Sequence, residues 1–186
     1  VNVLLGDKIR HWSRIRVHHH FFPHYLDSPQ VFAAPKSMPH YSKGMGWKSD
    51  HIDYILLSAL SSSPNQTYYL PSQDGIPAED KRRIKKWLDW GRENIDYLMV
   101  RKDLPDWPAA GKVDGSAHIC DDRGLVFLFN PNKNALEGEF ALTEESIGLR
   151  GKGTFQIAQH YPESDRSREL THRQTVRWKV PAETAV

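Results

Sequence analysis

The chain has 186 residues, 39% of them hydrophobic and 26% charged, with a formal net charge of +2. That balance fits a folded protein rather than a disordered one and gives no electrostatic basis for nucleic acid as the main partner. It contains no apolar run near the ~20 residues that span a bilayer, and a single cysteine, Cys120, excludes a disulfide within the chain.

The apolar run Val1-Asn2-Val3-Leu4-Leu5 predicts a short buried strand ending at Gly6-Asp7. Ile9, Trp12 and Ile15 or Arg16 then recur at helical spacing over residues 8–17. His18-His19-His20-Phe21-Phe22 predicts a second strand, stopped by Pro23. Residues 23–46 carry four prolines and two glycines without periodicity and predict a long loop, a feature more often functional than idle. The loop holds His24, Tyr25, Lys36, His40 and Tyr41.

A helix is expected from Ser49-Asp50, with Ser49 as cap and Ile52, Ile55, Leu56, Ala59 and Leu60 as its buried face, ending at Ser61-Ser62-Ser63-Pro64. Thr67-Tyr68-Tyr69-Leu70 predicts a third strand, and the loop Ser72-Gln73-Asp74-Gly75 leads to the strongest helix pattern. There Pro77 opens the first turn, Glu79 and Asp80 come next, and Ile84, Trp87, Leu88, Ile95 and Leu98 share a face on which Gly91 permits close packing. Strand and helix alternate through the first hundred residues, the order of a parallel sheet with covering helices.

Residues 103–115 are rich in proline and glycine and predict a linker. The next element is a hairpin, residues 117–120 and 125–129 around Asp121-Asp122-Arg123-Gly124. It marks the change of architecture, with Gly124 expected to supply the positive φ of the turn. Further strands are expected at 136–142, 153–160 and 175–180, separated by polar turns. Short strands at this spacing suggest an antiparallel sandwich. The fold class is therefore α/β followed by all-β, with domains at 1–103 and 104–186. Three βα units cannot close a barrel of eight strands. The apolar start and the strand pattern running into Ala185-Val186 lead us to expect a longer parent protein.

The order of βα units, a long last helix and an antiparallel sandwich resembles the C-terminal part of the melibiase (α-galactosidase) superfamily of glycoside hydrolases. Asp114-Gly115-Ser116-Ala117 and the stretch from Arg123 to Pro131 are similar to the first strands of that sandwich, and Ile76-Pro77-Ala78-Glu79-Asp80-Lys81 to the start of the last barrel helix. Gly6-Asp7 followed by Arg14-Ile15-Arg16-Val17-His18-His19 is similar to the segment bearing the family's acid/base carboxylate, with Gly6 in place of a serine and Arg10 where a second aspartate is usual.

The resemblance implies the last units of a (β/α)8 barrel plus a sandwich. It implies a retaining two-carboxylate hydrolysis of α-galactoside-like bonds, with the nucleophile and the rest of the barrel upstream. In a barrel, chemistry sits where strands end. Asp7 is then the acid/base candidate, and His20, His24, Tyr25, Lys36, His40 and Asp74 are candidates for the carbohydrate substrate, with no cofactor and no metal expected. On the residues alone, a cap of the following helix is the better reading of Asp7. Ser49-Asp50-His51-Ile52-Asp53 repeats a family-like Ser-Asp-x-x-Asp spacing but fits a helix start better. Two rivals stand beside the hydrolase: a non-catalytic carbohydrate-binding or structural module, and a histidine metalloenzyme in which His18 and His20 share one face of a strand.

Overall fold

The computed structural model describes residues 5–20, 23–32, 51–69 and 77–186. They form two compact units, one running through Leu98 and one from Met99 to Val186.

The first unit begins with α1 (Leu5–His20) and continues through a 3-10 turn (His24–Leu26) to β1 (Gln30–Phe32), α2 (Ile52–Ser62), β2 (Thr67–Tyr69), α3 (Ala78–Glu93) and α4 (Ile95–Leu98). β1 and β2 pair in parallel, Gln30 against Thr67 and Phe32 against Tyr69, with α2 between them in sequence. Every residue of α2 but Asp53 is buried, its serines included, because α1, α3 and β1 all pack on it. Ile84, Trp87 and Gly91 form the buried stripe of α3, and a Cβ on Gly91 would stand 2.7 Å from Leu60 Cδ2 on α2. That is the close helix crossing the sequence indicated.

Two strand expectations are corrected here. Leu5, Gly6 and Asp7 lie in the first turn of α1 and His18 to His20 in its last; residues 1–4 and 21–22 fall outside the described residues. The buried face of α1 is Gly6, Asp7, Ile9, Arg10, Ser13 and Arg14, whereas Trp12 is 56% exposed. Helical spacing is obeyed, but apart from Ile9 the buried positions are small or charged, so hydrophobicity located only part of the face. The predicted long loop also contains β1.

The second unit is antiparallel. β3 (Lys102–Asp103), β4 (Asp114–Cys120), β5 (Arg123–Asn130) and β10 (Thr184–Ala185) form one sheet in the order β10-β5-β4-β3. β6 (Leu136–Ala141) pairs β9 (Thr175–Val180), and β7 (Thr154–Ala158) pairs β8 (Ser167–Thr171). One core joins the three sheets. Leu104, Ala117 and Leu128 meet Phe140, Val176, Trp178 and Val180, and Leu142, Ile147 and Leu149 fill in from the segment carrying the short α5 (Glu144–Ile147). β6 and β9 bury alternate residues, as expected of a sheet with one wet face.

The hairpin turn is tighter than expected. Cys120 pairs with Arg123, leaving Asp121 and Asp122 as a two-residue loop, and Asp121 takes the positive φ of 58°. Gly124 has the expected positive φ, 157°, but it already belongs to β5, where a Cβ would fall 2.1 Å from the carbonyl oxygen of His118. The end of β5 is pinned by Asn130, which is fully buried. Its Nδ2 shares two hydrogens among the carbonyls of Asn134, Val180 and Pro181, and its Oδ1 accepts from the backbone of Asn132.

Gly115 sits where a Cβ would meet the Phe127 carbonyl at 2.1 Å, backbone that cannot yield; at Gly111 only the φ of 72° opposes a side chain. Gly115→Ala is expected to cost about 3 kcal/mol of stability and Gly111→Ala about 1 kcal/mol, measured by urea unfolding. Equal losses would contradict the β4–β5 register.

Candidate functional site

α1 and α2 cross at Gly6. A Cβ there would lie 2.4 Å from Ser58 Oγ, so the helices approach closely enough to enclose Asp7 and Arg10 on the same face of α1. These two side chains are 1% and 4% exposed. Arg10 Nη2 donates to Asp7 Oδ1 at 2.7 Å, and Tyr54 OH donates to the same oxygen at 2.5 Å. Arg10 Nη1 donates to Ser58 Oγ at 2.5 Å, and Ser58 Oγ in turn donates to the Tyr54 carbonyl at 2.7 Å. The guanidinium carbon is also 5.2 Å from the Tyr54 ring centroid. A charge in such a place needs both an opposite charge and hydrogen bonds, and α2 supplies the latter from one turn.

The acid/base expectation for Asp7 rested on a strand end opening to a cleft. The structure puts the side chain instead in the first turn of a helix, as a buried acceptor between helices. Arg10, where the family pattern has an aspartate, is the residue that pairs with it, and Gly6, where the pattern has a serine, keeps the crossing open. Neither Tyr54 nor Ser58 was singled out by sequence. Their spacing of four on an apolar helix was the available signal.

Of the residues expected to meet substrate, the structure brings His24 and Tyr25 together edge to face, with ring centroids 5.9 Å apart. His24 is buried with Nε2 3.0 Å from the Leu98 carbonyl, while Tyr25 is 40% exposed. His20 closes α1, and its side chain lies outside the described residues, as do Lys36, His40 and Asp74 entirely. Arg16 clasps Asp27 through Nε at 2.6 Å and Nη2 at 3.0 Å, which commits another carboxylate of this region. Asp53, from the Ser-Asp-x-x-Asp spacing, accepts from Trp87 Nε1 at 2.6 Å and so joins α2 to α3.

The strand argument for His18 and His20 falls with the strand. Among the described residues, no three His, Cys, Asp or Glu side chains are grouped to hold a metal ion. On the exposed face of α3, hydrogen bonds from Arg82 and Lys85 hold the Glu79 and Asp89 carboxyls below the usual carboxylate range.

The second unit carries a polar face that sequence did not single out. Antiparallel pairing sets Lys102 against Ala117 and Asp103 against Ser116, so Arg101, Asp103, Asp114, Ser116 and His118 alternate onto one side of the sheet. Arg101 binds Asp103 at 2.8 Å, and Ser116 Oγ lies 2.9 Å from His118 Nε2. His118 meets the Phe127 ring edge to face at 5.2 Å, and Phe127 stacks with Phe129. A serine hydroxyl on a histidine nitrogen is the first half of a nucleophile arrangement. Here the two residues are 4% and 0% exposed, which fits internal hydrogen bonding of a buried sheet face. The signal lay in the period-two polar run Asp114, Ser116, His118.

Comparison with protein-family models, with curated proteins and with solved structures finds no match to this chain.

Removing one half of a buried pair strands the other. Asp7→Asn is expected to lower stability by about 3–5 kcal/mol, read from the chemical-denaturation midpoint. Replacing Asp7 and Arg10 together by apolar residues should recover part of that loss. A neutral Asp7→Asn would show that the carboxylate does not support Arg10.

Proposed function

We propose that the chain is the C-terminal part of a retaining glycoside hydrolase of the melibiase type, acting on α-galactoside-like carbohydrates. In this reading the first unit is the last part of a (β/α)8 barrel and the second an accessory β-sandwich. The nucleophilic carboxylate and the rest of the barrel lie in preceding sequence. The observation that carries the reading is the order of architectures in one chain: a parallel βαβ element, a long amphipathic helix, then antiparallel sheets around their own core. The resemblance of the 114–131 hairpin and of the start of α3 to that family adds the substrate class.

One observation favours the second reading, a non-catalytic carbohydrate-binding or structural module. Asp7, the acid candidate, is enclosed with Arg10 and Tyr54 and presents 1% of its surface. An acid that protonates a leaving oxygen has to reach it.

Sequencing the gene 5′ of the Val1 codon separates them. The hydrolase reading expects an in-frame stretch of alternating strand and helix patterns with an aspartate at a strand end. A reading frame that opens at Val1 would overturn it. The isolated 186-residue chain is expected to leave aryl α-galactosides intact in a chromogenic assay, and turnover above the buffer rate would count against a missing nucleophile.

A further inference from the structure

Most arginines of the second unit that contact another side chain face a carboxylate. Arg101 binds Asp103, Arg150 binds Glu144 and Arg177 binds Glu139. Two do not. Arg166 and Arg168 have no carboxylate within 4.0 Å among the described residues, and both lie over the same indole, with guanidinium carbons 4.4 and 5.3 Å from the Trp178 ring centroid.

The placement comes from the pairing of β7 and β8. Ile157 pairs with Arg168 and Phe155 with Leu170, and the Gln159 amide donates to the Arg166 carbonyl. Residues 155, 157 and 159 therefore share a face with 166, 168 and 170. At one end of that face Phe155, Ile157 and Leu170 pack on the core; at the other the two arginines and Gln159 close on Trp178. Trp178 is 3% exposed and fixed by its Nε1 donating to Gln159 Oε1 at 2.9 Å, while Gln159 Nε2 donates to the Pro162 carbonyl at 2.7 Å. Arg168 is further held by donating from Nη1 to the Arg177 carbonyl at 3.1 Å. Two cations thus lie over one indole within about a Debye length of each other, with most of their planar donors unused among the described residues.

We propose that Arg166 and Arg168, held on Trp178, form a subsite for the acidic group, carboxylate or sulfate, of an anionic carbohydrate. The carbohydrate part rests on the function proposed above; the anion part rests on the geometry alone. A guanidinium presents a planar fork that matches either oxyanion bidentately, and a pre-ordered fork loses less freedom on binding than a free side chain. Arginine stems also cover indoles simply as packing. That simpler role is preserved by glutamine, which keeps much of the stem and removes the charge, whereas anion binding is not.

The test is calorimetric titration of the full chain with an oligogalacturonate, a sulfated galacto-oligosaccharide, a neutral galacto-oligosaccharide and sodium sulfate alone. At least one acidic sugar is expected to bind about tenfold or more tighter than the neutral one, and to weaken as salt rises. Which of them binds identifies the oxyanion. Arg166→Gln/Arg168→Gln should abolish the preference with the Trp178 indole N–H resonance retained. If the double variant fails to fold, Arg168→Gln alone should show a partial loss.

No binding of either acidic sugar, or an unchanged preference in the folded variant, would overturn the subsite. Neutral and acidic sugars binding equally would also overturn it while leaving the carbohydrate reading in place. Sulfate alone binding as tightly as the sugars would remove the carbohydrate component and count against the proposed function itself.

Discussion

In an antiparallel pair each residue is given one face or the other, and in β4 and β5 both faces are dry at the same level. Ala117 and Leu128 point into the shared core, while Asp114, Ser116, Phe127 and Phe129 on the opposite side are equally buried. A strand buried on both faces cannot alternate apolar with polar in the usual way. The pair resolves this unequally. β5 is apolar from Leu125 to Phe129, and β4 places small residues against the core and hydrogen-bonding ones on the other side. Gly115 and Gly124 answer the same constraint, since each is where the neighbouring backbone leaves no room for a Cβ. Register is then fixed, because a slip by one residue would carry Asp114, Ser116 and His118 into the core.

The first unit meets the comparable problem with a charge. Arg10 on the buried face of α1 could be accommodated only if the neighbouring helix offered oxygen atoms at the same level, and Tyr54 and Ser58 do so one turn apart. Asp7 completes the set from within α1 at i−3. Close approach of α1 and α2 is part of the arrangement rather than its consequence, since only a residue without Cβ fits opposite Ser58 at position 6. The cluster is specific because its members are individually costly when alone.

This contrast explains what was legible in the sequence. α3 was legible because Ile84, Trp87 and Gly91 interrupt a run of charges of which only Asp80 is buried, and β9 because Val176, Trp178 and Val180 alternate with Thr175, Arg177 and Lys179. α1 was half legible. Its period was detectable, but a face made of Gly6, Asp7, Arg10, Ser13 and Arg14 resembles a solvated one until the partners on α2 are known. β8 escaped because four of its five residues are exposed and only Leu170 turns inward. β1 escaped because a three-residue strand among prolines offers no measurable period. At the candidate site, sequence singled out Asp7 and Arg10 but not Tyr54 or Ser58, which complete the cluster. Hydrogen-bond partners 44 and 47 positions away leave no trace in local spacing.

The carboxylates of the first unit and the arginines of the second are held in different ways. Asp7, Asp27 and Asp53 each accept hydrogen bonds from side chains that hold one element to another, and each is at least half withdrawn from solvent. A carboxylate bound in this way is already in its low-energy state and gains little from a sugar hydroxyl. Arg166 and Arg168 differ in the opposite sense: they are ordered by an aromatic ring, which supplies position without neutralising charge. Position without neutralisation is what an oxyanion requires of its host. Among the described residues, Asp7, Asp27 and Asp53 thus fasten one part of the fold to another, whereas Arg166 and Arg168 are held by a ring and by backbone rather than by a carboxylate.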